Sequence, residues 1–365
     1  MAVSYHRPTK IIVDLQAIQQ NLANEIKHNQ GKDVFVAVKA NGYGHGAVPV
    51  AKAALAAGAM GLCVATLDEA IELREQGIEA PILLLGLLPL SAVAVAEEYR
   101  VAVAVASLAW LKQAQPEIRH ALKIHLAIDT GMGRIGFQKS EDVQQAVNYL
   151  LSEEVFDFEG IFTHFSTADQ ADTTYWEKQH QRFNDILTGL SHLPKYVHTS
   201  NSATTLWHEG VGNMVRYGIA LYGLNPSGND LDVSYPLQPA LSLESELIQV
   251  KKVAKGEGIG YGKTYVTPKE EWIGTVPIGY ADGYVRKMQG FHVLVEGQYC
   301  EIVGRVCMDQ LMIRLPHAIE EGTKVTLIGK NQGAQITLQE IADYLDTIHY
   351  EVICLFSERI PREYL

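Results

Sequence analysis

Positive charge is scarce in this chain: 30 Lys and Arg stand against 42 Asp and Glu, a net charge of −12 with no basic run. Nucleic acid and anionic membranes are therefore poor partners, and a small molecule fits better. Long apolar runs are missing too. The most apolar stretches, Ile82 to Leu90 and Val101 to Ala106, fall short of the about 20 residues that span a bilayer. Met1 to Asp14 holds no apolar core of signal-peptide length, so a cytosolic protein is expected. Cys63, Cys300, Cys307 and Cys354 are scattered without a CxxC, which leaves no zinc site in view and favours free thiols over a disulfide framework. Paired catalytic thiols are an alternative, but Cys63 lies inside a strand-like apolar run where a core thiol is the usual occupant.

What is present is apolar content, 47% of 365 residues, enough for a large core and for two domains or a barrel with an appendage. A helix after Asp14 carries Leu15, Ile18, Leu22 and Ile26 on one face. Strand-like runs then follow at 34–38, 62–65, 82–85, 101–105, 124–128, 156–162, 196–199 and 215–221, with helical stretches between them. Eight strands alternating with helices over about 220 residues predict a parallel (β/α)8 barrel, and the missing GxGxxG weighs against a doubly wound sheet. From Pro236 the pattern becomes short β runs at 241–253, 272–277, 292–295, 300–303, 310–315 and 324–328. A helix at 338–345 and a final strand near 350–356 complete it. The expected division is a barrel over 1–235 and a mostly β C-terminal domain over 236–365, with Pro226 to Asp230 as linker.

In a barrel, chemistry sits at the C-terminal ends of the strands. The residues expected there are Lys39, Asp129 with Arg134, His164, Ser200-Asn201-Ser202 and Arg216, an unusually polar set for one face. Lys39 ends the apolar run Val34 to Val38 just before three glycines. It is either a strand-end lysine reaching water or an amine whose desolvation readies it for a carbonyl.

The segments AVKANGYGHG (37–46), DTGMGRIG (129–136), THFSTAD (163–169), HTSNSATT (198–205), VRYGIALYG (215–223), GYGKTY (260–265), GYADGY (279–284), GRVCMDQ (304–310) and HYEVICLFSERIPREY (349–364) follow one another in an order that resembles alanine racemase, a fold-type III family dependent on pyridoxal 5'-phosphate. The resemblance implies that Lys39 carries the cofactor and moves a proton at Cα. It implies that Tyr43, Ser202, Gly218, Ile219 and Tyr350 surround the phosphate, that Asn201 belongs to the cofactor site, that His164 and His198 lie beside the cofactor, His164 against its ring, and that Arg216 donates to the pyridine nitrogen. Arginine cannot give that nitrogen a proton to keep, so the electron sink is weakened and side reactions are disfavoured.

Racemisation needs groups on both faces of a planar carbanion. The resemblance assigns the second face to Tyr261 of a partner subunit, which predicts a homodimer with composite sites. It also places Arg134 and the backbone near the partner subunit's Met308 around the substrate carboxylate, and Tyr280, Tyr284, Arg286, Arg305 and Asp309 along the entry. Many members carry a carbamylated lysine where this chain has Ala127. Arg134 thereby loses an anionic neighbour, and a chloride ion in the gap is the expectation. The function implied is interconversion of L- and D-alanine in the cytosol, supplying D-alanine for peptidoglycan. The alternatives are a serine or broad-specificity racemase of the same fold, a decarboxylase of that fold, or a non-catalytic pyridoxal phosphate carrier, which lacks a second domain.

Overall fold

After a first strand, β1 (Lys10–Val13), and the helix Leu15–His28, strands and helices alternate in a computed structural model that describes residues 2–365. The strands are β2 (Asp33–Ala37), β3 (Gly61–Val64), β4 (Ile82–Leu87), β5 (Val101–Val105), β6 (Leu122–Ala127), β7 (Phe156–Phe162), β8 (Tyr196–His198) and β9 (Met214–Tyr217). All pair in parallel, in the order β8-β7-β6-β5-β4-β3-β2-β9. A bridge between Ser200 and Val215 joins the two ends, so the ring is nearly closed. Continuous apolar runs such as Val101–Val105, buried at every position, suit strands covered on both faces. The barrel expected from the alternating pattern is the one observed.

Some helices carry clear local signals. The side chain of Thr66 accepts from the backbone N–H of Glu69 while Glu69 reaches back to Thr66, a reciprocal cap that starts Leu67–Glu75. Ser140–Ser152 buries Val143, Ala146, Val147 and Leu150, the spacing of one helical face.

The chain divides into two units, Gln16–Pro239 and a second made of the residues up to Leu15 with Ala240–Leu365. The first residues therefore belong with the β unit rather than with the barrel in which the 1–235 division placed them. The physical reason is pairing: β1 lies antiparallel to β10 (Leu241–Glu246) and parallel to Arg362–Tyr364. Their sheet runs from Gln298–Glu301 through His292–Val295, Lys324–Asn331, β10 and β1 to Arg362–Tyr364. A second sheet holds Gln249–Val253, Glu271–Val276 and Leu311–Leu315. The run expected at 241–253 is thus two strands in two sheets.

The segment near 350–356, expected as a strand, is the helix His349–Leu355. His349, Val352, Ile353 and Phe356 are buried, an i, i+3, i+4, i+7 pattern that outweighs the β-branched Val352 and Ile353. Arg7 makes two bonds to the fully buried Asp282, at 2.9 and 2.7 Å, fixing the turn that follows Glu271–Val276. Among the described residues the four cysteines are free thiols, no cluster of side chains suits a metal, and no helix is long and apolar enough to cross a membrane.

Candidate active site

Lys39 stands two residues past the end of β2, half-buried at the C-terminal rim. The chain then makes a left-handed turn through Ala40, Asn41, Gly42 and Tyr43, with φ of 52, 51, 60 and 50°. Three of these are not glycine, so the turn is strained and needs outside support. Glu69 supplies it: one carboxylate oxygen accepts from Ala40 N–H at 2.7 Å and the other from Ala65 N–H at 2.7 Å. Tyr222 Oη donates to Ala37 O at 2.9 Å from the other side, and Asn41 Oδ1 accepts from Ala47 N–H at 2.9 Å. At Gly42 an added Cβ would lie 3.2 Å from the backbone of Ala47, so both the space and the positive φ call for glycine. Lys39 Nζ sits 5.9 Å from the centre of the Tyr43 ring.

Arg216 lies near the end of β9 and is only 5% exposed. Its Nη1 donates to His198 Nδ1 at 2.7 Å and to His198 O at 3.1 Å, and its Nη2 donates to Thr163 O at 2.9 Å. Phe162 packs beneath it, 5.4 Å from ring centre to guanidinium. Burial, with the charge of Arg134 adding to it, brings Arg216 down to about 10, so it stays cationic at neutral pH. His164 Nδ1 is 3.4 Å from Nη2. Burial and then the charges of Arg216, Arg134 and Lys39 push His164 down to about 3, so it is a neutral imidazole. His198 is held well below the usual histidine range for the same reasons, burial first and Arg216 next. Cys63, in β3, is pushed up to about 12 by burial, which leaves it an inert core thiol.

A third group gathers beyond β8 and β9. Asn201 caps the short helix Ser202–Trp207 by accepting from Thr204 N–H at 2.9 Å. The backbone N–H groups of Gly218 and Ala220 donate to Ser202 Oγ at 2.9 and 3.3 Å. A Cβ built on Gly218 would lie 3.3 Å from Tyr43 Oη and 3.6 Å from Ser202 Oγ, so two hydroxyls converge on one bare backbone position. Ile219, next in the chain, is buried.

Arg134 is exposed, in a loop whose Asp129 accepts from Gly131 and Gly133 N–H at 3.1 and 2.9 Å. Ala127 is buried against Ala104, Phe162 and Ile135. The remaining expected residues fall in the β unit. Tyr261, 69% exposed, borders a cavity of about 720 Å³ that Cys307, Gln310 and Met312 also line. Met308 is half exposed, and Tyr350 lies on the helix His349–Leu355. Asp309 pairs with Arg359 at 2.8 Å.

Lys39, Tyr43, Arg134, His164, Asn201, Ser202, Arg216, Gly218 and Ile219 thus follow or end barrel strands and share one rim. Glu69, His125, Glu159 and Tyr222 were missed by sequence reasoning. A signal existed for some of them: Thr66 with Glu69 reads as a capping box, and His125 and Glu159 interrupt apolar strands just as Arg216 does.

The C-terminal rim is where parallel barrels carry out chemistry, and the fold and site define a two-unit barrel enzyme. Family models for the alanine racemase N-terminal and C-terminal domains match residues 13–226 and 240–364. The chain belongs to the alanine racemase family. The alanine racemase of Ligilactobacillus salivarius is 55% identical over the full length of both chains. A crystal structure of alanine racemase from E. faecalis is 58% identical, with a TM-score of 0.99 and full coverage of both chains. A histidine racemase from Leuconostoc mesenteroides is 32% identical with a TM-score of 0.95, covering 100% of this chain and 99% of its own.

Proposed function

We propose that the protein interconverts L- and D-alanine with pyridoxal 5'-phosphate, using Lys39 and the Tyr261 of a second copy as bases on opposite faces of the substrate. The observation that carries this reading is the convergence on one rim of a lysine, a cationic arginine facing two neutral histidines, and a bare glycine between hydroxyls. The residues present fit the cofactor. Tyr43, Ser202 and the Gly218–Ile219 backbone would hold its phosphate through neutral donors, with Asn201 fixing the helix that presents Ser202. Arg216 would donate to its ring nitrogen and His164 would lie against the ring.

When bound, the cofactor supplies the electron sink that makes the α-proton of an amino acid removable. Lys39 anchors it and moves a proton at Cα on one face. Tyr261 is 69% exposed in its own chain, whereas a group moving protons at carbon needs water excluded. A partner's barrel would provide that cover, which supports a homodimer with composite sites. Arg134, and the backbone near the partner subunit's Met308, would receive the substrate carboxylate.

The product would enter peptidoglycan synthesis in the cytosol. The chloride expected beside Arg134 would neutralise that guanidinium once a partner covers the site, since Ala127 and its apolar neighbours Ala104, Phe162 and Ile135 offer no anion. A second reading, racemisation of another amino acid, rests on the histidine racemase similarity. Turnover of L-alanine, L-serine and L-histidine by the protein loaded with pyridoxal phosphate decides between them: alanine as the preferred substrate supports the proposal, and no turnover of alanine rejects it.

A further inference from the structure

The buried polar groups of the barrel form one line that begins far from the rim. Lys123, half exposed near the start of β6, donates to Glu159 of β7. The other oxygen of Glu159 is 3.1 Å from His125 Nε2, and His125 Nδ1 is 2.8 Å from His198 Nε2. His198 Nδ1 then meets Arg216 Nη1 at 2.7 Å. His125 and His198 are both fully buried, and Glu159 is 7% exposed.

The chemistry of the two ends fixes every proton between them. Arg216 has donors only, so His198 Nδ1 accepts and its proton sits on Nε2. That proton is donated to His125 Nδ1, which leaves the His125 proton on Nε2, facing Glu159. Burial of Glu159 alone would raise its affinity for protons, yet the bonds from His125 and Lys123 bring it down to about 2, so an ionised acceptor ends the line.

The backbone makes room for this route. Strand β7 runs between β6 and β8, and Gly160 stands in register with His125 on one side and Tyr196 on the other. A Cβ at Gly160 would come within 2.1 Å of His125 Nδ1, the atom that accepts from His198. A side chain there closes the line, which is a second observation independent of the ion pair.

We infer that Glu159 is a remote positioning residue for Arg216: through His125 and His198 its carboxylate holds both imidazoles as Nε2–H tautomers, so that Arg216 always meets an acceptor and keeps its aim toward the rim. A reversed line would set an N–H of His198 against Arg216 Nη1, two donors face to face, and displace the guanidinium. The consequence for catalysis rests on the assignment of Arg216 to the cofactor ring. The tautomers do not.

The test is ¹⁵N NMR of the imidazoles in cofactor-free full-length protein, together with Glu159→Gln. Wild type should show Nε2–H on both His125 and His198; Nδ1–H on His198 would overturn the inference whether or not any variant folds. The folded Glu159→Gln protein should bind pyridoxal phosphate, show a shifted absorbance maximum of the bound cofactor, and lose about tenfold in kcat with KM for alanine within twofold. Glu159→Asp should recover part of that loss. An unchanged spectrum and kcat in Glu159→Gln would reduce Glu159 to a partner of Lys123 and refute the positioning role. Correct tautomers in a protein that does not racemise alanine would leave this line of bonds standing and reject the proposed function alone.

Discussion

The backbone N–H of Gly218 donates to Oγ of Ser202 over 2.9 Å, tying the turn after β9 to the first residue of the helix after β8. The same oxygen takes the Ala220 N–H at 3.3 Å, so one hydroxyl orders the backbone that would face a phosphate. Replacing Ser202 by alanine leaves two buried donors without that acceptor, a loss of about 1–3 kcal/mol. Ser202→Ala should lower the melting temperature by a few degrees and weaken pyridoxal phosphate binding about tenfold, as read by fluorescence titration of the apoprotein. Unchanged binding would remove Ser202 from the cradle.

Glu69 is the support of the Lys39 turn, since its two oxygens hold Ala40 and Ala65. With Ala40, Asn41 and Tyr43 all at positive φ, the turn relaxes when that support goes. Glu69→Ala is expected to destabilise the barrel by about 2–3 kcal/mol in urea unfolding. It should also slow turnover more than it raises KM. A variant with full kcat would show that the strained turn holds itself.

Glu25 sits fully buried in the helix Leu15–His28, where Tyr235 and Asn29 donate to it. Burial, the dominant cause, pushes it up to about 7 despite those bonds. A carboxyl raised in this way stabilises the fold fully below its unfolded value and loses that contribution as pH climbs through about 7. Glu25→Gln should therefore be close to neutral at pH 5 and stabilising by on the order of 1–3 kcal/mol at pH 8.5. Melting temperatures at the two pH values measure it, and equal shifts at both would contradict the assignment.

His125, His164 and His198 have the opposite sign. Each is lowered mainly by burial, so the stability they contribute as neutral groups is complete above the ordinary histidine range and falls as pH drops below it. Acid unfolding of the barrel should begin near pH 6 and bind more than one proton per molecule; a flat stability from pH 7 to pH 4 would show these imidazoles to be hydrated.

The barrel was legible because its strands are buried on both faces and its helices on one. The run at 101–105 matches to the residue. The β unit was less so. Nothing in the spacing of Leu241 to Val253 marks the point where one sheet ends and another begins, and β1 is too short to announce a partner more than 200 residues away. At the site, Lys39 and Arg216 stood out as charges in apolar strands. His125 and Glu159 broke the pattern equally, but their link passes through Gly160, and a missing side chain gives no sequence signal of what it makes room for.

Arg134 is exposed and Ala127 is packed among Ala104, Phe162 and Ile135. That exposure belongs to one chain; a partner covering the site would leave the guanidinium drier and in need of an anion. Replacing chloride by sulfate at constant ionic strength should raise KM for alanine several-fold; a KM within about twofold would argue against the bound chloride.

The central claim, a lysine from one chain and a tyrosine from another serving one alanine, is tested most directly by mixing inactive variants. D-alanine formation from L-alanine is measured for wild type, Lys39→Ala, Tyr261→Phe, and the two variants exchanged together, all with pyridoxal phosphate. Each variant alone should lose turnover by at least about a hundredfold, with the absorbance of protein-bound cofactor lost only in Lys39→Ala. The mixture should regain about a quarter of wild-type activity, because half the dimers are hybrids and each hybrid holds one intact composite site. A mixture as inactive as its parts, or a Tyr261→Phe protein as active as wild type, would contradict the shared two-base site.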